Sequence, residues 1–196
     1  MSRTAFLRLF FLLVFVAVTA CSPPAPKFKA MDIAGVGWGS DFELTAHTGK
    51  RVKASDFHGK VVVLFFGYTH CPDICAPALS RLAALMKRLG NDAARVQVLF
   101  VTVDPEHDTV KQLASFVPPF NPSFLGLTGS EQEIAKVAQD YKVAFGKNPA
   151  SQPGQVLVDH STSLMVKDAK GALRLLVKND MPVEDLEHDI RVLLKE

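Results

Sequence analysis

Two cysteines, Cys71 and Cys75, have the spacing in this sequence that is best suited to chemistry. They lie in the segment GYTHCPDIC, which directly follows the apolar run VVVLFF. A thiolate is the nucleophile of thiol–disulfide exchange and is also a ligand for a soft metal ion. From this pair alone, three interpretations stay open: a redox-active dithiol, half of a metal site, and a structural disulfide.

A metal site at this pair needs a further ligand from elsewhere in the chain. Two thiolates and one imidazole form a compact donor set that suits copper(I) and is tolerated by copper(II). Structural zinc sites normally use four protein ligands, and the Cys-x-x-Cys-His pattern of haem attachment is absent. Of the six histidines, His160 in VLVDHSTSLMV is the strongest candidate and His107 in DPEHDT is the second. A structural or solvated role stays open for both.

The cysteine pair is expected where a buried strand meets a helix. The run KVVVLFFGY predicts a strand that is covered on both faces. Apolar residues at helical spacing between Pro77 and Gly90 predict a helix that ends at Gly90. If this helix begins near Cys71, both sulfurs lie on one face, and the helix N-terminus lowers the pKa of the thiols.

The other elements predict an α/β domain. VQVLFVTVD predicts a second buried strand, and FELTAHTGKRV alternates around a turn as a β-hairpin does. Helices are predicted over residues 109–117, after Ser130 and after Pro182, with a second hairpin over residues 164–177. The expected fold class is α/β, with a central mixed β-sheet flanked by helices and an N-terminal β-hairpin extension. A strand that leads into a cysteine pair at the start of a helix is the layout of the thioredoxin fold.

The first 20 residues have the features of an export signal. Arg3 and Arg8 come before the apolar run LFFLLVFVAV, and small residues precede Cys21. This pattern predicts a lipoprotein-type signal peptide over residues 1–20 and lipidation of Cys21. A membrane-tethering linker over residues 21–38 and one domain over residues 39–196 would follow. The alternative is an uncleaved anchor helix. The predicted location is a bacterial cell envelope, tethered to a membrane and facing the periplasm.

Charge argues against a nucleic-acid partner. The chain has 22 Lys+Arg and 20 Asp+Glu, and residues 1–20 contain two of the arginines and no acid. Without that segment the protein is near neutral, and no basic run remains. A hydrophobic content of 48% fits one compact domain.

Three segments, FGYTHCPDIC, VTVDPEHDT and VDHST, resemble the Sco/SenC family of copper-binding assembly factors for cytochrome c oxidase. The resemblance extends from about Asp41 to the last predicted helix. It implies a thioredoxin-like fold and a copper site, as Cu(I) or Cu(II), whose ligands correspond to Cys71, Cys75 and His160. It also implies oxidase subunit II as a partner, with another periplasmic copper chaperone or a thiol reductase as a second one.

Two hypotheses for the function follow. In the first, the protein is a metallochaperone that delivers copper to the dicopper centre of subunit II. In the second, it is a thiol–disulfide oxidoreductase: Cys71 attacks a disulfide of the acceptor, and Cys75 resolves the mixed disulfide before metallation. Three acids are candidates for supporting roles: Asp73 between the cysteines, Asp159 beside His160, and Asp104 in VTVDPEHDT, as part of the pocket wall.

Overall fold

The computed structural model describes residues 27–147, 158–160 and 163–196, which form an α/β fold around one large sheet. The strands are β1 (Met31–Asp32), β2 (Glu43–Ala46), β3 (Arg51–Lys53), β4 (Val61–Gly67), β5 (Val96–Thr102), β6 (Leu125–Thr128), β7 (Phe145–Lys147), β8 (Val158–His160), β9 (Leu164–Lys167) and β10 (Leu173–Val177). The α-helices are α1 (Cys75–Leu89), α2 (Val110–Phe116), α3 (Glu131–Asp140) and α4 (Val183–Leu193).

The large sheet is mixed, with the strand order β1-β10-β9-β4-β5-β6-β2-β3 in the described part of the chain. β4, β5 and β6 run parallel, and β9 pairs with β4 in the antiparallel direction. β2 and β3 form the predicted N-terminal hairpin at one edge of the sheet. β7 and β8 make a separate antiparallel pair. The predicted thioredoxin-like architecture is confirmed, including the mixed sheet and its flanking helices.

The central strands β4 and β5 are buried along their whole length because helices cover both faces of the sheet. Val63 and Phe65 belong to the core that contains α1, α2 and α4. Leu64 and Phe66 point to the opposite face and belong to the core that contains α3. Because successive side chains of a strand point to opposite faces of the sheet, one continuous apolar run contributes residues to both cores.

Helix α1 covers the sheet next to the cysteines. The residues that it buries recur at helical spacing: Leu79, Leu82, Leu85, Met86 and Leu89. The helix ends as predicted at Gly90, whose φ of 59° suits a glycine. The helix does not begin near Cys71, the condition under which both sulfurs would share a helix face: residues 72–74 form a bend, and α1 begins at Cys75.

Residues 29–33, which fall within the predicted linker, are packed into the fold. β1 pairs with β10, and the backbone N–H groups of Lys29 and Ala30 donate to Asp189 of α4 at 2.9 and 2.8 Å. The packed part of the chain therefore starts before the predicted boundary at residue 39. The predicted signal peptide and Cys21 lie outside the described residues. Within the described ranges, no helix has both the length and the apolar character that crossing a membrane requires.

Candidate metal and thiol site

Two loops lie side by side at the carboxyl end of the central strands. β4 and β5 are parallel and in register, so Gly67 lies opposite Thr102. The loop after β4 carries Cys71 and leads into Cys75 at the start of α1, and the loop after β5 carries the segment DPEHDT. This edge of a parallel sheet is where α/β folds place their binding sites. The strand register therefore brings two of the predicted motifs together.

Cys75 is fully buried in the first turn of α1. Its sulfur fits closely against Gly67, since a Cβ atom at that glycine would lie 2.8 Å from Cys75 Sγ and 2.8 Å from the Phe100 ring. Burial raises the pKa of the Cys75 thiol, and the neighbouring Cys71 and Asp108 raise it further. Cys75 therefore keeps its proton at neutral pH.

Cys71 is half-buried and precedes the helix. Burial acts to raise the pKa of its thiol, but the backbone N–H groups of Ile74, Cys75 and Asp73 donate hydrogen bonds to the sulfur. Together with a hydrogen bond from the Cys75 thiol, they hold the pKa of Cys71 below its ordinary value. No side chain caps the start of α1, and the amides that donate to the Cys71 sulfur lie in the bend before the helix and at its first residue, Cys75. Cys71 therefore has the lower thiol pKa of the pair.

Replacing Gly67 with alanine is expected to displace the Cys75 sulfur and lower stability. The added methyl group would overpack the sulfur and the Phe100 ring, which costs about 1–3 kcal/mol of unfolding free energy. Denaturant titration measures this loss. The matched control is Gly37→Ala, where nothing lies within 4 Å of the added Cβ. Equal stability of the two variants would contradict the close packing of Cys75 against Gly67.

Asp108, a buried carboxylate that sequence reasoning missed, ties the two loops together. Thr69 of the cysteine loop donates to it through its backbone N–H at 3.0 Å and its hydroxyl at 2.5 Å. The Thr102 hydroxyl donates at 2.6 Å. Burial raises the pKa of Asp108, although these hydrogen bonds oppose the shift. In the sequence, Asp108 stands only in the loop that follows the strand ending at Thr102, at the edge where sites form, and no local pattern marks it as buried.

Two of the acids with predicted supporting roles, Asp104 and Asp73, are described in full. Asp104 is buried and pairs through its carboxylate with His107 Nδ1 at 2.9 Å. Its backbone N–H donates to the Thr102 hydroxyl, which in turn donates to Asp108. The Asp73 side chain is exposed, and the hydrogen bond of this residue to the Cys71 sulfur comes from its backbone N–H. Asp104 is thus linked to the cysteine loop through Thr102 and Asp108.

His160, the predicted third ligand, lies on β8. Its backbone is opposite Phe145 of β7, and Asp159 is opposite Gly146. Phe145 and Gly146 line a cavity of about 310 Å³ together with residues 103–106, so β7 lies against the loop that follows β5. The side chains of His160 and Asp159 lie outside what the structure describes. The three-residue ligand set therefore stays a prediction.

Comparison with known proteins gives consistent matches. The sequence model of the SCO1/SenC family matches residues 33–195. The bovine protein named SCO2 homolog, mitochondrial, is 38% identical over 167 residues, which cover 84% of this chain and 62% of the bovine protein. The chain thus spans less than two thirds of the length of that relative.

Solved structures match over most of this chain. Bradyrhizobium japonicum ScoI with copper bound has a TM-score of 0.74 and 34% identity, over 80% of this chain and 99% of that one. BsSco, described as a member of the Sco family of cytochrome c oxidase assembly proteins with a disulfide switch, has a TM-score of 0.68 and 25% identity. That match covers 85% of this chain and 97% of BsSco.

The predicted location in a bacterial cell envelope is wrong. The bovine relative is a mitochondrial protein, and mitochondrial proteins also stand among the other curated relatives. Two arginines, an apolar run and no acidic residue indicate a targeted N-terminus, but targeting segments for different compartments share these features. The pattern alone did not determine the compartment.

Proposed function

Because this chain belongs to the SCO1/SenC family, we propose that it is a copper metallochaperone for cytochrome c oxidase. Cys71, Cys75 and His160 bind one copper ion, which is delivered to the dicopper centre of oxidase subunit II. The observation that carries the proposal is the hydrogen-bonded thiol pair at the sheet edge, in a fold shared with copper-bound ScoI. The description of BsSco supports the link to oxidase assembly.

Copper binding requires the thiol pair to release a proton. The pKa of the Cys71 thiol is lowered, which favours its thiolate form, whereas burial raises the pKa of Cys75, whose proton must leave when its sulfur becomes a ligand. Metal affinity therefore falls as the pH decreases. Because the two sulfurs already share a hydrogen bond, they can ligate one ion with little movement of the backbone.

Delivery then proceeds by ligand exchange. Copper(I) held by two thiolates and one imidazole has a low coordination number and can accept a further thiolate. The half-buried Cys71 is the ligand nearer to an acceptor, while Cys75 is fully buried. An acceptor thiolate bonds to the ion before a ligand of this chain leaves, so copper moves without a change of oxidation state.

An anaerobic titration of the reduced full chain with copper(I), against a competing chelator, is expected to show one equivalent bound. A Cys21→Ser background leaves Cys71 and Cys75 as the two thiols, since the chain has three cysteines. Adding Cys71→Ser, Cys75→Ser or His160→Ala should weaken binding by about tenfold or more in each case.

The matched control for the histidine is His188→Ala, which removes a half-exposed imidazole from α4 and should leave copper affinity unchanged. If His160→Ala binds copper like the parent, His160 is not a ligand. If the parent chain does not bind copper, the metallochaperone proposal fails as a whole.

The opposite pKa directions of the two thiols favour a second function, reduction of a disulfide in the acceptor. The Cys71 thiolate attacks one acceptor sulfur, the acceptor S–S bond breaks, and the leaving sulfur takes up a proton. Cys75 then loses its proton and attacks the Cys71 sulfur, so the mixed-disulfide bond breaks and the second acceptor sulfur leaves and takes up a proton. The products are a Cys71–Cys75 disulfide and a reduced acceptor dithiol, and an external thiol reductase supplies the two electrons that restore the pair. His160 has no part in these steps, so oxidase assembly that survives His160→Ala would favour this function.

A further inference from the structure

A second group of metal-ligating side chains lies in the loop after β5, apart from the thiols. Asp104, Glu106 and His107 each place one ligand atom within 4.8 Å of the other two. The loop closes on itself through hydrogen bonds from the backbone N–H groups of His107 and Asp108 to the Asp104 carbonyl, at 3.3 and 2.9 Å. One imidazole and two carboxylates form a donor set for a divalent transition-metal ion.

The buried carboxylate of Asp104 accepts fewer hydrogen bonds than a comparable buried carboxylate in the same protein. It is 4% exposed, and within the described ranges its carboxylate accepts from His107 Nδ1 alone, 2.9 Å from both oxygens. Asp189 is the contrasting case: it is fully buried and accepts from the backbone N–H groups of residues 29–30 as well as from His188. An ionised carboxylate offers about four acceptor positions. Asp104 therefore keeps acceptor capacity that a cation would satisfy.

The distance between His107 Nδ1 and Asp104 also fits two neighbouring ligands of one ion. Metal–nitrogen and metal–oxygen bonds of about 2.0–2.2 Å place adjacent ligand atoms roughly 2.9–3.3 Å apart. The observed distance is 2.9 Å. An ion could thus take the place of the Nδ1 proton with little movement of either side chain.

Space for the remaining ligands is present beside this group. Asp104 and Glu106 line a cavity of about 310 Å³ whose opposite wall is formed by α3 and β7. A water molecule occupies about 30 Å³ of liquid volume, so the cavity has room for an ion and several water ligands. Glu131, at the start of α3, adds a third carboxylate to the lining.

We propose that Asp104, Glu106 and His107 form a binding site for a divalent transition-metal ion, with Cu²⁺ held more tightly than the other first-row ions. The site uses nitrogen and oxygen ligands and needs neither cysteine. When the ion binds His107 Nδ1, the proton of the neutral imidazole is carried on Nε2 instead, and water molecules complete the coordination. A chain of hydrogen bonds through Thr102 and Asp108 connects this site to the cysteine loop.

The test uses the full chain without thiols, as the Cys21→Ser/Cys71→Ser/Cys75→Ser variant in mild detergent, titrated with Cu²⁺. Electron paramagnetic resonance should show copper with nitrogen and oxygen ligands and no sulfur, and the ion should raise the unfolding temperature. Adding His107→Ala or Asp104→Asn should weaken binding by about tenfold or more. His188→Ala is the matched control, because it removes an imidazole of similar exposure that also pairs with a buried aspartate.

Absence of Cu²⁺ binding in the thiol-free chain overturns the proposal. So does binding that is equally strong in His107→Ala and in His188→Ala, with circular dichroism confirming that both variants are folded. Because the thiols are absent, these results are independent of whether Cys71 and Cys75 bind copper.

Discussion

Iodoacetamide is expected to alkylate Cys71 of the reduced, folded protein more than about a hundredfold faster than Cys75 at neutral pH. Backbone amides stabilise the Cys71 thiolate and lower the pKa of that thiol, whereas burial raises the pKa of Cys75. The exposure of the two thiols to the reagent favours the same order of rates, because Cys71 is half-buried and Cys75 is fully buried. Peptide mass spectrometry at successive times measures both rates and separates them from that of Cys21.

The pH dependence of alkylation distinguishes ionisation from access. The Cys71 rate should rise with pH and level off below the ordinary thiol pKa, while Cys75 should stay slow up to about pH 9. The control is the chain unfolded in guanidinium chloride, where both cysteines should react at similar rates. A Cys75 that reacts as fast as Cys71 in the folded protein would contradict the assignment of thiolate and thiol, and with it the order of attack in the reductase mechanism.

The sequence predicts the strands and helices around the site well, because their apolar patterns are local. β4 and β5 are continuous apolar runs, and the buried face of α1 repeats at helical spacing. The start of α1 was not predictable from the same pattern. The start depends on the bend at residues 72–74, where backbone amides turn toward the Cys71 sulfur before the helix begins at Cys75.

Buried acids were the larger gap in the prediction of the site. Asp108 accepts from Thr69, 39 positions away in the chain, and Asp189 accepts from Lys29, 160 positions away. An acidic residue in a loop or on an amphipathic helix is usually solvated, so no local pattern marks these two as buried. His160 was named by its sequence context and by the family resemblance, because no spacing rule connects residues so far apart.

Asp108→Ala is expected to lower the unfolding free energy by about 2–5 kcal/mol at neutral pH. The change leaves one backbone N–H and two hydroxyls without their acceptor at a position that is fully buried. It also releases Thr69, two residues before Cys71, so the cysteine loop loses its attachment to the loop after β5. The matched control is Asp73→Ala, which removes an exposed carboxylate from the cysteine loop itself and should change stability little. Equal denaturation midpoints for the two variants would show that Asp108 does not hold the loops together.

Asp108→Asn isolates the charge, because the amide keeps the shape of the carboxylate. Burial raises the pKa of Asp108 in the folded protein above its unfolded value. Its protonated form therefore favours folding below the unfolded pKa of about 4, and this contribution is lost as the pH rises through the raised folded pKa. The stability of the parent relative to Asp108→Asn should accordingly decrease with rising pH across that window. Parallel curves of unfolding free energy against pH for the two proteins would contradict the raised pKa.

Since the Asp108 charge also raises the pKa of Cys75, Asp108→Asn should be alkylated faster at Cys75 than the parent. The buried Asp108 carboxylate thus links the position of the cysteine loop to the pKa of the Cys75 thiol, which burial raises first and the Asp108 charge raises further.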